Sequence, residues 1–157
     1  MTVVSVDKDF ERLTLTVVAE FDASIERVWQ LWADPRQLER WWGPPGYPAT
    51  FHEHDLVPGG RATFSIGDAS RGWWEFKSVD PPRSLELVDG WADKDGRPIP
   101  DAPTTAIRTQ LTERDGRTLM EIRSVFSSRE HLEQIVSMGA VEAFQQAIGQ
   151  IDRLLAA

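Results

Sequence analysis

Two histidines, His52 and His54, lie one residue apart in the segment TFHEHDL and are the side chains best suited to acid–base or metal chemistry. Residues two positions apart share a face of a β-strand, so both imidazoles are expected on the same side. If Leu56 faces the core, the histidines face inward too. The opposite phase buries Phe51 and Val57 and turns the histidines to solvent, and the alternation alone leaves both orientations open.

A metal site at this pair would need a third ligand, because protein zinc sites use three or four side chains. The candidates are Glu75, Asp89 and His131, and none stands at a spacing that supports ligation. A second acidic group occupies the polar loop 92–103, at Asp93, Asp95 and Asp101. It lacks the ligand spacing and the closing glutamate of a calcium loop. We therefore predict no metal and no other cofactor.

The sequence contains no Gly-x-Ser-x-Gly elbow, no phosphate-binding loop and no dinucleotide fingerprint. It also contains no cysteine, which excludes thiol catalysis and disulfides. Catalysis would have to use His52, His54, Arg108 or Thr109 to polarise a carbonyl or move a proton within an apolar pocket. We lean toward a protein that is not an enzyme, with a cyclase or hydrolase as the alternative.

Seven tryptophans stand out in a chain of 157 residues. Trp29 and Trp32 fall at helical spacing on an apolar face, which is typical of core packing. Trp41 and Trp42 directly precede Gly-Pro-Pro-Gly, and Trp91 precedes the polar loop 92–103. Residues at the ends of elements beside such loops either line the mouth of a pocket or simply pack, and the sequence leaves both interpretations open.

Composition limits the partners. With 41% hydrophobic and 27% charged residues, the chain is expected to form one domain spanning residues 1–157. The formal net charge of −8 argues against nucleic acid and favours a neutral, apolar or cationic ligand. No apolar run approaches the ~20 residues that span a bilayer, and Asp7, Lys8 and Asp9 interrupt any signal peptide. We expect a cytoplasmic protein without membrane contact, as a monomer or a homodimer.

Hydrophobic periodicity predicts the elements that position these residues. Alternation over residues 10–21 predicts the first strand, Ser24 caps a short helix, and Asp34-Pro35 starts a second one that ends near Trp42. Six more strands are predicted at 49–57, 61–67, 72–79, 84–91, 104–114 and 117–126. Their short connections indicate an antiparallel meander, and apolar spacing after a capping box at residues 127–130 predicts one long C-terminal helix.

Several of these segments resemble a known family. The stretch FDASIERVWQLWADPRQLERWWGP, the turn DLVPGGRATFSI and the ending SMGAVEAFQQAIGQIDRLLA are similar to the activator of heat-shock-protein ATPase homologue family, within the START-like, SRPBCC (helix-grip) superfamily. The strand entry SVDPPRSLEL is similar as well, but it has Ser78 and Ser84 where members often carry a glutamate and an arginine. The resemblance implies lipid or hormone binders, polyketide cyclases and aromatases, or co-chaperone domains.

The resemblance also implies an α+β helix-grip fold, in which a seven-stranded curved antiparallel sheet wraps around a long C-terminal helix and leaves an apolar cavity. Family members usually carry apolar residues at the positions of His52, His54 and Leu56, so we favour inward histidines. The leading hypothesis is a binder of a hydrophobic small molecule, with a cyclase or hydrolase and a co-chaperone-like protein-interaction module as alternatives. The candidate ligand-binding residues are Trp41, Trp42, His52, His54, Trp74, Trp91 and Phe144.

Overall fold

The computed structural model describes residues 3–67 and 70–156, and within them one antiparallel sheet packs against a set of helices. The strands are β1 (Val3–Asp9), β2 (Thr14–Phe21), β3 (Ala49–His54), β4 (Arg61–Ile66), β5 (Ser70–Asp80), β6 (Ser84–Trp91), β7 (Thr105–Arg114) and β8 (Arg117–Phe126). The helices are α1 (Ile25–Ala33), α2 (Pro35–Leu38), α3 (Arg129–Ser137), α4 (Ala140–Gly149) and α5 (Ile151–Ala156).

The predicted α+β class and curved antiparallel sheet are confirmed, with strand order β1-β2-β8-β7-β6-β5-β4-β3. One cluster of buried side chains joins the sheet to the helices. It includes Leu85 of β6 and Met120 of β8 together with Trp32 of α1 and Ile148 of α4. The core therefore lies between the inner face of the sheet and the helices that cross it.

The described part of the sheet has eight strands, one more than predicted, because the predicted strand 10–21 is the second arm of a hairpin. The carboxylate of Asp9 accepts hydrogen bonds from the backbone amides of Glu11 and Arg12, each at 3.0 Å. Leu13 then takes a positive φ of 59°. These local bonds make residues 10–13 a turn, and the charged segment Val3–Asp9 pairs with β2 as an edge strand.

Side-chain caps start the first two helices where predicted, although α2 ends at Leu38 rather than near Trp42. The Ser24 hydroxyl accepts from the Arg27 amide at the start of α1. The carboxylate of Asp34 accepts from the Arg36 amide and from the side-chain amide of Gln37, both at 3.0 Å. These bonds, that to Gln37 first, lower the pKa of Asp34 below its ordinary value. The two helices therefore meet at a fixed corner, which directs the chain toward Trp41 and Trp42.

The Gly-Pro-Pro-Gly turn is held by backbone contacts that need glycine. A Cβ on Gly43 would collide with the carbonyl oxygen of Tyr47, whose amide donates back to the Pro44 carbonyl at 2.9 Å. The side-chain amide of Gln150 donates to the Gly43 carbonyl at 2.7 Å. The turn after the double tryptophan is thus tied to the junction between α4 and α5.

The C-terminal segment is divided into α3, α4 and α5, where the sequence predicted one long helix. The first break falls at Gly139, which has a φ of 77° and so leaves the right-handed helical region. The N-cap of α3 is Ser128, whose hydroxyl accepts from the His131 amide at 3.0 Å. None of the helices within the described residues combines the length and the apolar character that crossing a membrane requires.

Candidate functional site

Two cavities with shared lining residues open along the sheet. The helix cavity, of ≈ 190 Å³, lies beneath α4 and is bordered by Ala140 and Phe144 of that helix. The strand cavity, of ≈ 160 Å³, lies beside β4, β5 and β6. Trp42 and Asp89 line both cavities. These two residues therefore belong to both halves of one cleft.

The lining of the cleft is mainly apolar. The helix cavity is walled by hydrophobic side chains from the sheet and from both neighbouring helices, namely Leu15, Ile107, Phe126, Ile135, Ala140 and Phe144. Phe64 and Ile66 of β4 and Trp91 of β6 supply the apolar wall of the strand cavity. Such a lining with a few convergent polar groups is typical of small-molecule sites.

Trp42 holds its position through aromatic contacts on several sides. Its ring meets the ring of Trp74 edge-on at 4.8 Å between centroids and that of Phe144 at 5.9 Å. Trp42 is only partly buried, since one side of the indole faces the cleft. The indole next to the Gly-Pro-Pro-Gly turn therefore lies at an opening.

Trp41 occupies the core, so the expectation that it lines the mouth of a pocket is wrong. It is fully buried, its ring lies 4.9 Å from that of Trp32, and its Nε1 donates to the Leu31 carbonyl at 2.9 Å. Adjacent residues in the turns after α2 point in different directions, and here only the second tryptophan reaches the cleft.

The other aromatic candidates lie on or behind the cleft. Trp91 is 44% exposed and lines the strand cavity together with a third, outer cavity of ≈ 290 Å³ that it shares with His131 and Met138. Trp74 is fully buried beneath the floor of the cleft, and Phe144 borders the helix cavity. The structure thus brings Trp42, Trp91 and Phe144 to one cleft, with Trp74 supporting it.

The prediction that both histidines face inward is wrong, because β3 buries Ala49 and Phe51 and so exposes His52, and a β-bulge then turns His54 to the other face. His52 and Glu53 together oppose Thr63, so the register shifts by one residue. His52 is exposed and bonds the Ser65 hydroxyl at 3.1 Å. His54 turns inward but faces α1, where its Nε2 bonds the Trp32 carbonyl. Neither histidine borders the helix cavity or the strand cavity.

Asp89 is the polar residue at the centre of the cleft, and the sequence interpretation considered it only as a possible metal ligand. Its Oδ1 accepts a hydrogen bond from Trp74 Nε1 at 2.9 Å. Burial raises the pKa of Asp89 from 3.8 to about 7, and the bond from Trp74 opposes that rise. The residue keeps some accessible surface, which is the surface that faces the cavities. Its carboxyl is thus desolvated by the protein and open to a ligand.

Two hydroxyl residues, Thr105 of β7 and Ser124 of β8, line the helix cavity with Asp89. All three stand in phase with the buried residues of their strands, since Asp89 follows Leu85 and Leu87 at a spacing of two. A polar residue at an inward position of an alternating strand is the sequence signal that could have identified them.

The remaining polar candidates have structural surroundings. Arg108 is exposed and pairs with Glu86, whereas Thr109 is fully buried with its hydroxyl unpartnered among the described residues. In the loop 92–103, the carboxylate of Asp93 accepts from the amides of Arg97 and Asp95, bonds that lower its pKa. Within residues 3–67 and 70–156, no three His, Asp or Glu side chains are grouped so that they could hold a metal ion.

The chain is similar to known proteins in both sequence and structure. The sequence profile of a family described as Activator of Hsp90 ATPase homolog 1-like protein matches residues 22–156. No curated protein matches the chain. Among solved structures, protein Ms6760 from Mycobacterium smegmatis is 45% identical with a TM-score of 0.91, over 98% of this chain and 96% of that one.

Two further structures are similar at different distances. A protein from Arthrobacter aurescens is 46% identical with a TM-score of 0.93, over 99% of this chain and 92% of that one. DynU16, from the dynemicin biosynthetic locus, is 18% identical with a TM-score of 0.70, over 92% of this chain and 48% of that one. At 18% identity, the similarity to DynU16 concerns the fold alone.

Proposed function

Because the chain belongs to the family of Activator of Hsp90 ATPase homolog 1-like proteins, we propose that it binds an apolar or aromatic small molecule in the cleft beneath α4. The observation that carries the proposal is the position of Trp42, which lines both cavities. An indole held by Trp74 and Phe144 presents a rigid apolar wall at little entropic cost.

The size of the cleft indicates the size of the ligand. An apolar cavity of roughly 150 Å³ binds benzene, and the helix and strand cavities measure ≈ 190 and ≈ 160 Å³. Either half therefore suits a ring system of one or two rings, and both together suit a larger elongated molecule. Naphthalene and indole are neutral probes of this size.

Binding is the better supported of the alternatives. The enzyme alternative depends on histidines in the cavity, and neither His52 nor His54 borders the helix or strand cavity. The co-chaperone alternative depends on an exposed apolar patch in place of a cavity, whereas the apolar side chains here surround an open cleft. We therefore propose a binding protein rather than a catalyst or a docking module.

The proposal is tested by titrating the protein with naphthalene, indole, fatty acids and small phenols while recording tryptophan fluorescence and the melting temperature. At least one compound should shift the emission and raise the melting temperature. A ligand that binds only the folded state stabilises it by about 2.7 kcal/mol at a hundredfold excess over Kd.

Two variants and a control locate the site. Ala140→Leu adds bulk at the border of the helix cavity, and Trp42→Ala removes the indole of a residue that lines both cavities, so both should weaken binding at least about tenfold. Trp29→Phe, which alters a buried tryptophan of α1, should leave binding unchanged. A protein that binds none of the compounds, or that loses binding equally with Trp29→Phe, does not use this cleft.

A further inference from the structure

We infer that Asp89, together with Thr105 and Ser124, selects ligands that present a hydrogen-bond donor, such as a phenolic hydroxyl, on an aromatic body. The inference deepens the proposed binding function and rests on it. These three polar residues would discriminate among molecules that the apolar walls accept equally well.

The strand register places these three side chains side by side on the inner face of the sheet. Asp89 lies directly between Trp74 on β5 and Thr105 on β7. On the next strand, Thr105 pairs with Phe126, two positions from Ser124 and on the same face. Asp89, Thr105 and Ser124 all line the helix cavity, so a ligand in that cavity meets them together.

The hydrogen bond from Trp74 determines which oxygen of the Asp89 carboxyl is available to a ligand. Trp74 Nε1 is a donor only, and it engages Oδ1 of the carboxyl at 2.9 Å. The second carboxyl oxygen is left for the cleft. An ionised carboxyl can only accept hydrogen bonds, whereas the Thr105 and Ser124 hydroxyls can donate or accept. The group of three is therefore complementary to a ligand hydroxyl, which donates to Asp89 and accepts from a protein hydroxyl.

Charge in the cleft argues against an anionic ligand. Among the described residues, Asp89 is the one charged side chain bordering the helix cavity, and the strand cavity adds Arg71. A ligand carboxylate in the helix cavity would place a second negative charge beside a buried acid. Burial already raises the pKa of Asp89 to about 7, because the carboxylate loses the hydrogen bonds that water would donate to it. A hydrogen bond donated by the ligand would replace them and favour the ionised carboxylate.

The test compares bicyclic probes that share one shape and differ in hydrogen bonding. 2-Naphthol donates, 2-methoxynaphthalene only accepts, 2-naphthoate is an anion and naphthalene has no polar group. Calorimetric titration at about pH 8, where Asp89 is largely ionised, should show 2-naphthol binding at least about tenfold more tightly than 2-methoxynaphthalene, since a hydrogen bond to a charged group is a strong one. 2-Naphthoate should bind most weakly.

Asp89→Asn provides the decisive variant because it keeps the shape and changes the hydrogen bonding. Trp74 still needs an acceptor, so the amide oxygen faces Trp74 and the amide nitrogen, a donor, faces the ligand. The affinity ratio of 2-naphthol to 2-methoxynaphthalene should fall to about one or below. The matched control is Glu86→Gln on the outer face of the same strand, which should leave the ratio unchanged.

The possible outcomes separate the inference from the proposed function. Equal affinity of the wild-type protein for 2-naphthol and 2-methoxynaphthalene, or tightest binding of 2-naphthoate, overturns the inference while the binding function stands. Binding of none of the four probes sinks the binding function and the inference with it. If Asp89→Asn fails to fold, the wild-type ratio and Thr105→Val decide the question, since Thr105→Val should lower the affinity for 2-naphthol relative to that for naphthalene severalfold.

Discussion

The imidazole of His54 contacts the rings of Phe51 and Phe76, with centroid distances of 5.9 and 5.8 Å. Its Nε2 donates to the carbonyl oxygen of Trp32 at 3.2 Å. Burial lowers the pKa of His54 below its ordinary value of 6.5, against a smaller opposing effect of that hydrogen bond. The folded protein therefore holds this histidine in its neutral form.

Stability should fall as the pH is lowered through about 6.5, because the unfolded chain then takes up a proton that the folded protein resists at His54. The stabilising difference is fully present above that pH and is lost below it. Urea denaturation of the wild type and of His54→Gln at about pH 8 and about pH 5.5 measures the effect. The loss between the two pH values should be smaller in His54→Gln, which cannot be protonated in this range.

The matched control for this experiment is His52→Gln, which removes an exposed imidazole from the same strand. If the two variants change the pH dependence of stability by the same amount, the burial of His54 is not the cause. At the scale of single residues, the bulge that separates these two histidines thus gives them different surroundings and different roles.

At the scale of elements, the break between α3 and α4 depends on one backbone conformation. Gly139 has a φ of 77°, where a side chain costs about 1 kcal/mol or more. Gly149 lies in the last turn of α4, and a Cβ at that position would meet open space. Replacing these two glycines by alanine should therefore have opposite effects on the free energy of unfolding.

Gly139→Ala should lower the free energy of unfolding by about 1–2 kcal/mol, whereas Gly149→Ala should raise it by about 0.5–1 kcal/mol. Chemical denaturation of both variants gives the two differences. The same sign in both would show that the position of the helix break is not determined by the left-handed conformation at Gly139.

At the scale of the whole molecule, α4 both closes the core and borders the cleft. Ile148 is fully buried in the hydrophobic core, whereas Phe144 is partly buried and faces the helix cavity. One turn of helix thus separates a residue that packs from a residue that is open to a ligand. Helix α4 therefore both packs into the core and presents a surface to a bound ligand.

Ile148→Ala should destabilise the fold by about 2–5 kcal/mol. Phe144→Ala should cost less, about 1–2 kcal/mol, because its ring already borders open space. In contrast, Phe144→Ala should weaken naphthalene binding more than Ile148→Ala does. Denaturation and titration of both variants measure the two orders, and a reversal of either one would mean that Phe144 belongs to the core.

Much of the fold could be predicted from the sequence because its signals are local. The caps at Ser24 and Asp34 and the strand periods depend on neighbours within a few residues, and the structure has them in place. The family motifs predicted the α+β grip, and the match over residues 22–156 confirms the family. The N-terminal strand was missed because its alternation is obscured by charged residues and it acquires its partner only through the hairpin.

The sequence alone determined which residues were available to the cleft, namely a set of tryptophans and a few polar residues in strands, because composition and period are properties of the chain. Only the tertiary structure decided that Trp42 lines the cleft while Trp41 fills the core, and that Asp89 meets Trp74 and Thr105. These outcomes depend on contacts between residues distant in the chain, where one bulge or one turn redirects every side chain that follows. The site therefore belongs to the packing of the sheet against its helices, which no local pattern specifies.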